Sequence, residues 1–368
     1  MVLKILTMLL ANIPITLSNA TLYNSTGKSP YTLVRNYTGQ AFFDGFSFFN
    51  DTDPTHGFVQ YVDMSTANET GLAGFATSEL FENAIYLGVD YWSNNTIDGR
   101  PSTRVESKDT FNHSLWVADI RHMPGGTCGV WPAYWLLGTG SQWPGAGEID
   151  IFEGINEQSN NLMTLHTDKN VAVVNITSTK YSNITQMTGK FTSLDCSLAT
   201  AGTTGCSVQD HGNYGTDWNS KGGSVLVTEF TSQWIKIWNF PRSSVPLDIA
   251  SGEPTPNTPD SAWGPPVAKF LSNDTNFDYH FFNLQLIFNI ALCGDWVDKT
   301  WSSSECASLA PSCKEYVQNN PSVFTEAYWA IQGVQVYTAN SSYTSNPTDV
   351  VWYSDAVIST RSARKFKA

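Results

Sequence analysis

Charged residues are scarce in this sequence. They make up 14% of the 368 residues, well below the usual quarter of a soluble domain. Serine, threonine, asparagine and glycine must therefore supply the polar surface, which favours a β-rich extracellular protein over a helical cytosolic one. Basic residues are the scarcer sign, because 20 Lys and Arg oppose 33 Asp and Glu and give a net charge of −13. Nucleic acids and anionic membranes both bind through basic patches, so we expect neither as a partner.

Long apolar runs are also absent, apart from one at the N-terminus. Lys4 precedes an apolar stretch over residues 5–17, and the small residues Ser18-Asn19-Ala20 follow it. This is the pattern of a secretory signal peptide. The run is shorter than the roughly twenty residues that a transmembrane helix needs. We predict cleavage after residue 20, with a buried N-terminal helix as the alternative.

The sequence then divides into a signal peptide (1–20), one domain (21–355) and a basic C-terminal tail (356–368). Many Asn-x-Ser/Thr sequons agree with secretion and predict a glycoprotein. They begin at Asn24, Asn36, Asn50, Asn68, Asn94, Asn112, Asn175, Asn183, Asn273 and Asn340. We expect a monomer located in the extracellular space or the cell wall.

Cysteines are few, and none of the six lies in a CxxC or Cys/His cluster. This pattern does not indicate a zinc site, and the sequence assigns no metal ligands and no cofactor. An even count in a secreted chain predicts disulfides instead. Cys196 lies near Cys206 in the sequence, and Cys306 near Cys313. If these pairs bond locally, Cys128 and Cys293 remain for a long-range bridge, although six cysteines allow fifteen pairings.

Helical periodicity is scarce, and no internal repeat is present. Short apolar or alternating runs recur between clusters of Gly, Pro, Asn and Ser, which is typical of an all-β sandwich. One Pro-, Ser- and Thr-rich stretch runs from Ser243 to Pro266 and contains Trp263. A linker would have this composition, but we predict a long loop over a binding face, since the strand pattern resumes unchanged after it.

A run of carboxylates is the strongest signal in the sequence. In Glu148-Ile149-Asp150-Ile151-Phe152-Glu153, regular alternation places Glu148 and Asp150 on one face and Glu153 on the other. Glu153 would then lie buried and unpaired beside isoleucines, at a large cost in free energy. A β-bulge near Ile151 or Phe152 would turn Glu153 onto the face of the other two carboxylates.

Carboxylates that share one face repel each other, and at least one pKa rises. Such a cluster suits glycoside hydrolysis, which uses one ionised and one protonated carboxyl group. A solvated acidic strand and a calcium site are the alternatives, although calcium cages usually wrap a loop. Five strand positions span about 16 Å, whereas retaining carboxyl groups lie about 5–5.5 Å apart. Spacing alone therefore does not bring Glu148 and Glu153 together.

At these residues the chain resembles fungal laminarinase-like members of glycoside hydrolase family 16, whose signature is E-x-D-x-x-E on a bulged strand. The similarity extends from about Tyr31 to about Tyr353. Its other landmarks are Arg104 to Lys108, His122 to Trp135, Met163 to Thr167, Cys293 to Trp296 and Ala327 to Trp329.

The resemblance implies a jelly-roll β-sandwich of two curved antiparallel sheets with a concave substrate cleft. It also implies a retaining mechanism, with Glu148 as nucleophile, Glu153 as general acid and base, and Asp150 holding and tuning Glu148. The implied substrate-binding residues are Trp135, Trp143, His166, Trp263 and Arg104. Core packing is the alternative for the tryptophans and a hydrogen-bonded strand residue for His166. Trp131 is left in the core, and the calcium site of some family members cannot be placed in this sequence.

The predicted function is endo-hydrolysis of β-1,3 or mixed β-1,3/1,4 glucans, whose polysaccharide or oligosaccharide chains would be the partner. The 13 Trp, 15 Tyr and 20 Phe agree with this substrate, because aromatic faces stack on apolar sugar faces. Two alternatives stay open. A cell-wall transglycosylase would pass the same glycosyl-enzyme to a sugar hydroxyl, and a non-catalytic sandwich would only bind carbohydrate.

Overall fold

The computed structural model describes residues 29–168, 171–173, 187–256, 262–271 and 277–339. Strands dominate this part of the chain. They are β1 Tyr31–Thr38, β2 Phe46–Phe48, β3 Val59–Tyr61, β4 Ala73–Ala76, β5 Ala84–Gly88, β6 Arg100–Ser102, β7 Arg104–Ser107, β8 Ser114–His122, β9 Val130–Gly138, β10 Glu148–Glu153, β11 Asn161–His166, β12 Lys190–Ser193, β13 Cys206–Asp210, β14 Ser224–Phe230, β15 Trp234–Pro241, β16 Ala268–Leu271, β17 Leu284–Leu292 and β18 Tyr328–Ala339. The α-helices are short: α1 Gln40–Gly45, α2 Met64–Glu69, α3 Gly215–Ser220, α4 Leu247–Ala250, α5 Asp295–Trp301 and α6 Cys313–Asn319.

Two antiparallel sheets of eight strands each form the sandwich. Sheet A has the order β16-β15-β14-β8-β18-β5-β4, with β1 also paired to β18. Sheet B has the order β12-β13-β11-β10-β9-β17-β7-β2, and a short parallel pair joins β3 to β6. The jelly-roll sandwich predicted from the sequence is confirmed, and the catalytic candidate β10 lies in the middle of sheet B.

Strand alternation decides which side chains form the core between the sheets. On β8, Trp116 and Ile120 enter the large core cluster, which also contains Ile149 and Phe288 of sheet B. Leu115 of the same strand points to the opposite face of sheet A and joins a second cluster. Sheet A is therefore apolar on both faces, whereas sheet B keeps its outer face for polar and aromatic side chains.

The described part of the stretch from Ser243 to Pro266 covers the second cluster, on the face of sheet A that is turned away from sheet B. Trp263 is only 4% exposed and packs edge-on against Trp238 and Phe240 of β15. Its indole N–H donates to the Asp248 carboxylate at 2.8 Å. The structure corrects both expectations for this stretch: its described residues lie over the opposite sheet, and Trp263 does not line a cleft. Aromatic content cannot tell which sheet a loop covers.

Two of the three disulfides link the helical segment after β17 to the end of sheet B. Cys128 bonds to Cys306 and Cys293 to Cys313, while Cys196 bonds to Cys206. The Cys196–Cys206 prediction is confirmed, and the predictions of Cys128–Cys293 and Cys306–Cys313 are wrong. Cys128 and Cys293 do lie near each other, since the Cys293 amide donates to the Gly129 carbonyl at 2.8 Å. Each bonds instead to a cysteine of the helical segment after β17, at the end of sheet B where β9 begins and β17 ends.

Within the described residues, no helix has the length and apolar character needed to cross a membrane. The predicted signal peptide and basic tail lie outside the residues that the structure describes. The sequons at Asn24, Asn175, Asn183, Asn273 and Asn340 also lie outside them.

Candidate active site

Strand β10 carries the predicted bulge. Its pairing with β9 places Asp150 opposite Trp135 and Phe152 opposite Tyr134, so Ile151 is the extra residue. Phe152 consequently enters the core at 0% exposure, and Glu153 turns to the outer face of sheet B. Glu148, Asp150 and Glu153 therefore share one face, as the sequence predicted.

Gly147 sets the start of this strand. Its φ of +78° lies in the region that favours glycine. A Cβ at this position would approach the His280 carbonyl oxygen to 2.3 Å and the Phe281 ring to 2.4 Å. The glycine thus allows the chain to pass close to a neighbouring segment, and β10 begins with Glu148 directly after this contact.

Glu148 and Glu153, at the two ends of β10, each accept a hydrogen bond from a tryptophan. The Trp143 indole N–H donates to Glu148 Oε2 at 2.6 Å, and the Trp131 indole N–H donates to Glu153 Oε1 at 2.8 Å. Trp143 is 54% exposed, as suits a side chain at the rim of a cleft. The prediction that Trp131 lies in the core is wrong, since its indole reaches Glu153 on the outer face. Its even spacing from Trp135 on β9 was the signal that could have placed it on the outer face.

His166 of β11 lies opposite Glu148 in the strand register. Its Nε2 is 3.0 Å from Asp150 Oδ2 and 3.9 Å from Glu148 Oε1. Burial alone would lower the pKa of His166, but the bond to Asp150 and the charges of Asp150, Glu148 and Glu153 outweigh it and raise the pKa to about 9. Protonated His166 thus offsets part of the repulsion among the carboxylates.

The two glutamates differ in their electrostatics. Burial, and then the charge of Asp150, raise the pKa of Glu148 to about 7, while His166, the Trp143 hydrogen bond and Arg104 oppose the shift. Burial and Asp150 raise the pKa of Glu153 well above its usual range. Burial thus favours the protonated form of both groups, and Glu148 ionises near neutrality. A nucleophile needs the ionised form, whereas a general acid needs a proton, which the burial of Glu153 helps it to retain.

The floor of this face continues across β9 and β17 to β7. The Trp135 indole N–H donates to Asn289 Oδ1 at 2.8 Å. The Arg104 guanidinium lies over the rings of Phe49 and Trp135, 4.4 and 5.2 Å from their centroids, and pairs with Glu106 at 2.7 Å. Trp135, Trp143, His166 and Arg104 are thus assembled on the carboxylate face.

An aromatic pair borders the Glu153 end of the site. Trp296, at the start of α5, meets Trp131 edge-on with ring centroids 5.6 Å apart. In the sequence Trp296 is only a landmark of the family resemblance. Nothing in the local sequence reveals the contact, because Trp131 belongs to β9 and Trp296 to α5.

Glu148, Asp150 and His166 offer metal-ligating atoms that lie within 4.8 Å of one another. His166 Nε2 and Asp150 Oδ2 contact each other at 3.0 Å, which is the geometry of an ion pair. We assign the group to the control of charge on the glutamates.

The family comparison agrees with this geometry. The model described as "XgeA-like, catalytic GH16 domain" matches residues 46–337. The chain is 41% identical to an endo-1,3(4)-beta-glucanase of Arthroderma benhamiae over 86% of its own length and 67% of the relative's. It is 40% identical to endo-1,3(4)-beta-glucanase xgeA of Emericella nidulans, covering 84% of this chain but 47% of that protein. The chain thus spans about half of several longer relatives.

Two solved structures are similar in both sequence and fold. Laminarinase 16A of Phanerochaete chrysosporium, solved with 6-O-glucosyl-laminaritriose in donor and acceptor sites, is 41% identical with a TM-score of 0.73. It is matched over 99% of its chain and 84% of this one. An elongating family 16 beta-1,3-glucosyltransferase is 40% identical with a TM-score of 0.74, over 100% of its chain and 84% of this one.

Proposed function

The chain belongs to glycoside hydrolase family 16, and from this membership we propose that it is a retaining endo-hydrolase of β-1,3 or mixed β-1,3/1,4 glucans. One observation carries the proposal: the bulge at Ile151 places Glu148 and Glu153 on one face, each bonded to its own indole N–H. A carbohydrate-binding protein that lacked catalysis would have no use for three mutually repelling carboxylates.

In the first step, the ionised Glu148 carboxylate attacks the anomeric carbon. Glu153 gives its proton to the glycosidic oxygen, and the leaving sugar departs with that proton. A covalent glycosyl-enzyme results. In the second step, Glu153, now ionised, takes a proton from water while the water oxygen attacks the anomeric carbon. The bond to Glu148 breaks, and the β-configuration is restored.

Asp150 and His166 act on the charge of Glu148 throughout this cycle. Their ion pair places a negative and a positive group beside the nucleophile. When Glu148 becomes an ester, its negative charge disappears, and the repulsion from Asp150 disappears with it. Asp150 therefore favours formation of the glycosyl-enzyme, while the positive charge of His166 keeps Glu148 able to ionise.

The experiment that tests this function is product analysis on laminarin, lichenan and xyloglucan. We expect oligosaccharides from laminarin or lichenan, newly formed reducing ends that are β-anomers by early NMR spectra, and little product from xyloglucan. Initial α-anomers would contradict the retaining mechanism. Release of monosaccharide alone would contradict endo-action.

Transglycosylation is the second candidate. The 40% identical structure described as an elongating beta-1,3-glucosyltransferase favours it, and so does the Trp131–Trp296 pair beside Glu153, where an acceptor sugar would bind. Products longer than the substrate, formed from laminari-oligosaccharides and increasing with their concentration, would support this reaction. Their absence at high acceptor concentration would leave hydrolysis alone.

Secretion, N-glycosylation and a monomeric state belong to the same proposal. Secretion and N-glycosylation are supported by the N-terminal apolar run, the sequons and the even cysteine count. Expression in a eukaryotic secretory host should give an active, disulfide-bonded protein in the medium, and its mass should fall after endoglycosidase treatment. Retention inside the cell with an uncleaved N-terminus would contradict this part.

A further inference from the structure

The bulge that defines the site lies where the pairing on one side of β10 ends. Ile151 has no counterpart on β9, whereas Glu153 lies opposite Ala133 there. On the other side, the pairing of β10 with β11 ends at Asp150 opposite Thr164. The Ile151 carbonyl and the Glu153 amide therefore lie beyond the backbone pairing with β11. Buried backbone groups of this kind need partners, or they destabilise the local conformation.

A single side chain supplies both partners. Asn161, the first residue of β11, is 1% exposed. Its Nδ2 donates to the Ile151 carbonyl oxygen at 2.9 Å, and its Oδ1 accepts from the Glu153 amide at 2.8 Å. The carboxamide has one donor and one acceptor in a plane, like a peptide unit. It thus takes the place of the missing stretch of backbone ladder at the bulge.

We propose that Asn161 is a positioning residue for the general acid and base. Its two bonds hold the bulged conformation from both sides, and that conformation turns Glu153 toward Trp131 and the substrate face. Glu148 does not depend on this contact, because it pairs with His166 on β11 and Leu137 on β9 in regular register. Asn161 therefore controls one of the two catalytic carboxyl groups.

The inference rests on the proposed function, and it predicts a defect specific to one step. In Asn161→Ala, β10 relaxes at the bulge and Glu153 loses its alignment with the glycosidic oxygen. Misplacement by about 1 Å can cost roughly 100-fold in rate, so we expect kcat on β-glucan to fall by about 10- to 100-fold with KM little changed. An activated aryl β-glycoside needs no proton for its leaving group, so its first-turnover burst of phenol should persist.

The chain offers a matched control. The Asn219 side chain makes the same pair of bonds to one backbone residue: its Oδ1 accepts from the Met123 amide at 2.9 Å, and its Nδ2 donates to the Met123 carbonyl at 2.9 Å. It touches no residue of β10 in the hydrogen bonds that the described residues make. Asn219→Ala therefore removes the same two hydrogen bonds from a place away from the site. It should lower kcat on both substrate types by similar, small factors.

The test compares wild type, Asn161→Ala and Asn219→Ala on laminarin and on the aryl glycoside. A loss on laminarin with a retained phenol burst, found only in Asn161→Ala, supports the proposal. Equal loss on both substrates, or the same pattern in Asn219→Ala, overturns it. If Asn161→Ala does not fold, Asn161→Asp keeps the volume and the acceptor for Glu153 but lacks the donor to Ile151, and the same criteria apply. Failure of the proposed function is recognised separately, because wild type would then release no oligosaccharide from β-glucan.

Discussion

The two indole N–H donors give a prediction about pH dependence. The Trp143 bond lowers the pKa of Glu148, and the Trp131 bond lowers that of Glu153. Replacing either tryptophan with phenylalanine removes the donor and keeps most of the aromatic surface. Each substitution should therefore raise the pKa of one glutamate and leave the other nearly unchanged.

The signs follow from the roles of the two groups. Below the pKa of Glu148 the nucleophile is protonated and inactive, so activity appears as pH rises through that value. Above the pKa of Glu153 the acid has lost its proton, so activity falls there. Trp143→Phe should move the acid limb of kcat/KM to higher pH, and Trp131→Phe should move the alkaline limb to higher pH.

The magnitude follows from hydrogen-bond energies. A hydrogen bond to a charged group is worth about 1.5–3 kcal/mol, and one pKa unit corresponds to about 1.36 kcal/mol, so loss of a fully buried bond would shift a limb by about one to two units. Trp143 is 54% exposed, and water replaces part of its bond. We expect a shift of about half a unit to one unit for Trp143→Phe and a larger one for Trp131→Phe.

The assay is the pH profile of kcat/KM on a soluble β-glucan oligosaccharide, which reports the free enzyme. Weaker stacking of substrate would lower the whole curve without moving its limbs. A displaced alkaline limb in Trp143→Phe, or a displaced acid limb in Trp131→Phe, would mean that the roles of the glutamates are exchanged. Unmoved limbs in both variants would refute the electrostatic reasoning.

Two further predictions concern the scaffold. Peptide mapping without reduction should recover Cys128 linked to Cys306 and Cys293 linked to Cys313. A peptide joining Cys128 to Cys293 would contradict the fold where the segment after β17 meets sheet B. Trp263→Ala should lower stability by about 3–5 kcal/mol, as large buried aromatics do, while calorimetry at low temperature should find unchanged affinity for laminari-oligosaccharides. A clear loss of affinity with normal stability would indicate that Trp263 contacts the substrate after all.

The bulge of β10 could be predicted from the sequence because Glu153 does not fit the alternation of a regular strand. Glu153 on a regular strand would be buried without a partner, and this cost pointed to the bulge that the structure contains at Ile151. Strand alternation also places Trp131 on the same face of β9 as Trp135, because the two are four residues apart. This spacing was enough to predict that Trp131 lies on the outer face, where it donates to Glu153. The role of Asn161 could not be predicted from the sequence, because its two hydrogen bonds to β10 depend on where the β10–β11 pairing ends.

The errors came from contacts between distant segments. Cys306 and Cys313 are close in sequence, yet each bonds to a cysteine at the end of a different strand of sheet B. Trp263 lies in a loop whose composition fits either sheet, and only the apolar outer face of sheet A explains why it packs there. Neither the loop's destination nor the pairing of the cysteines is a local property.

Azide rescue tests the central claim most directly, because the product reveals which face of the sugar each carboxyl group occupies. Glu148→Ala and Glu153→Ala should both be inactive on polysaccharide, and only Glu153→Ala should keep the first step on an activated aryl β-glycoside. With added azide, Glu148→Ala should give the α-glycosyl azide, since azide enters where the nucleophile stood. Glu153→Ala should give the β-glycosyl azide, formed by attack on the glycosyl-enzyme. If the two variants gave the opposite anomers, the roles of Glu148 and Glu153 would be exchanged. Full activity in both variants would show that this strand is not the catalytic site.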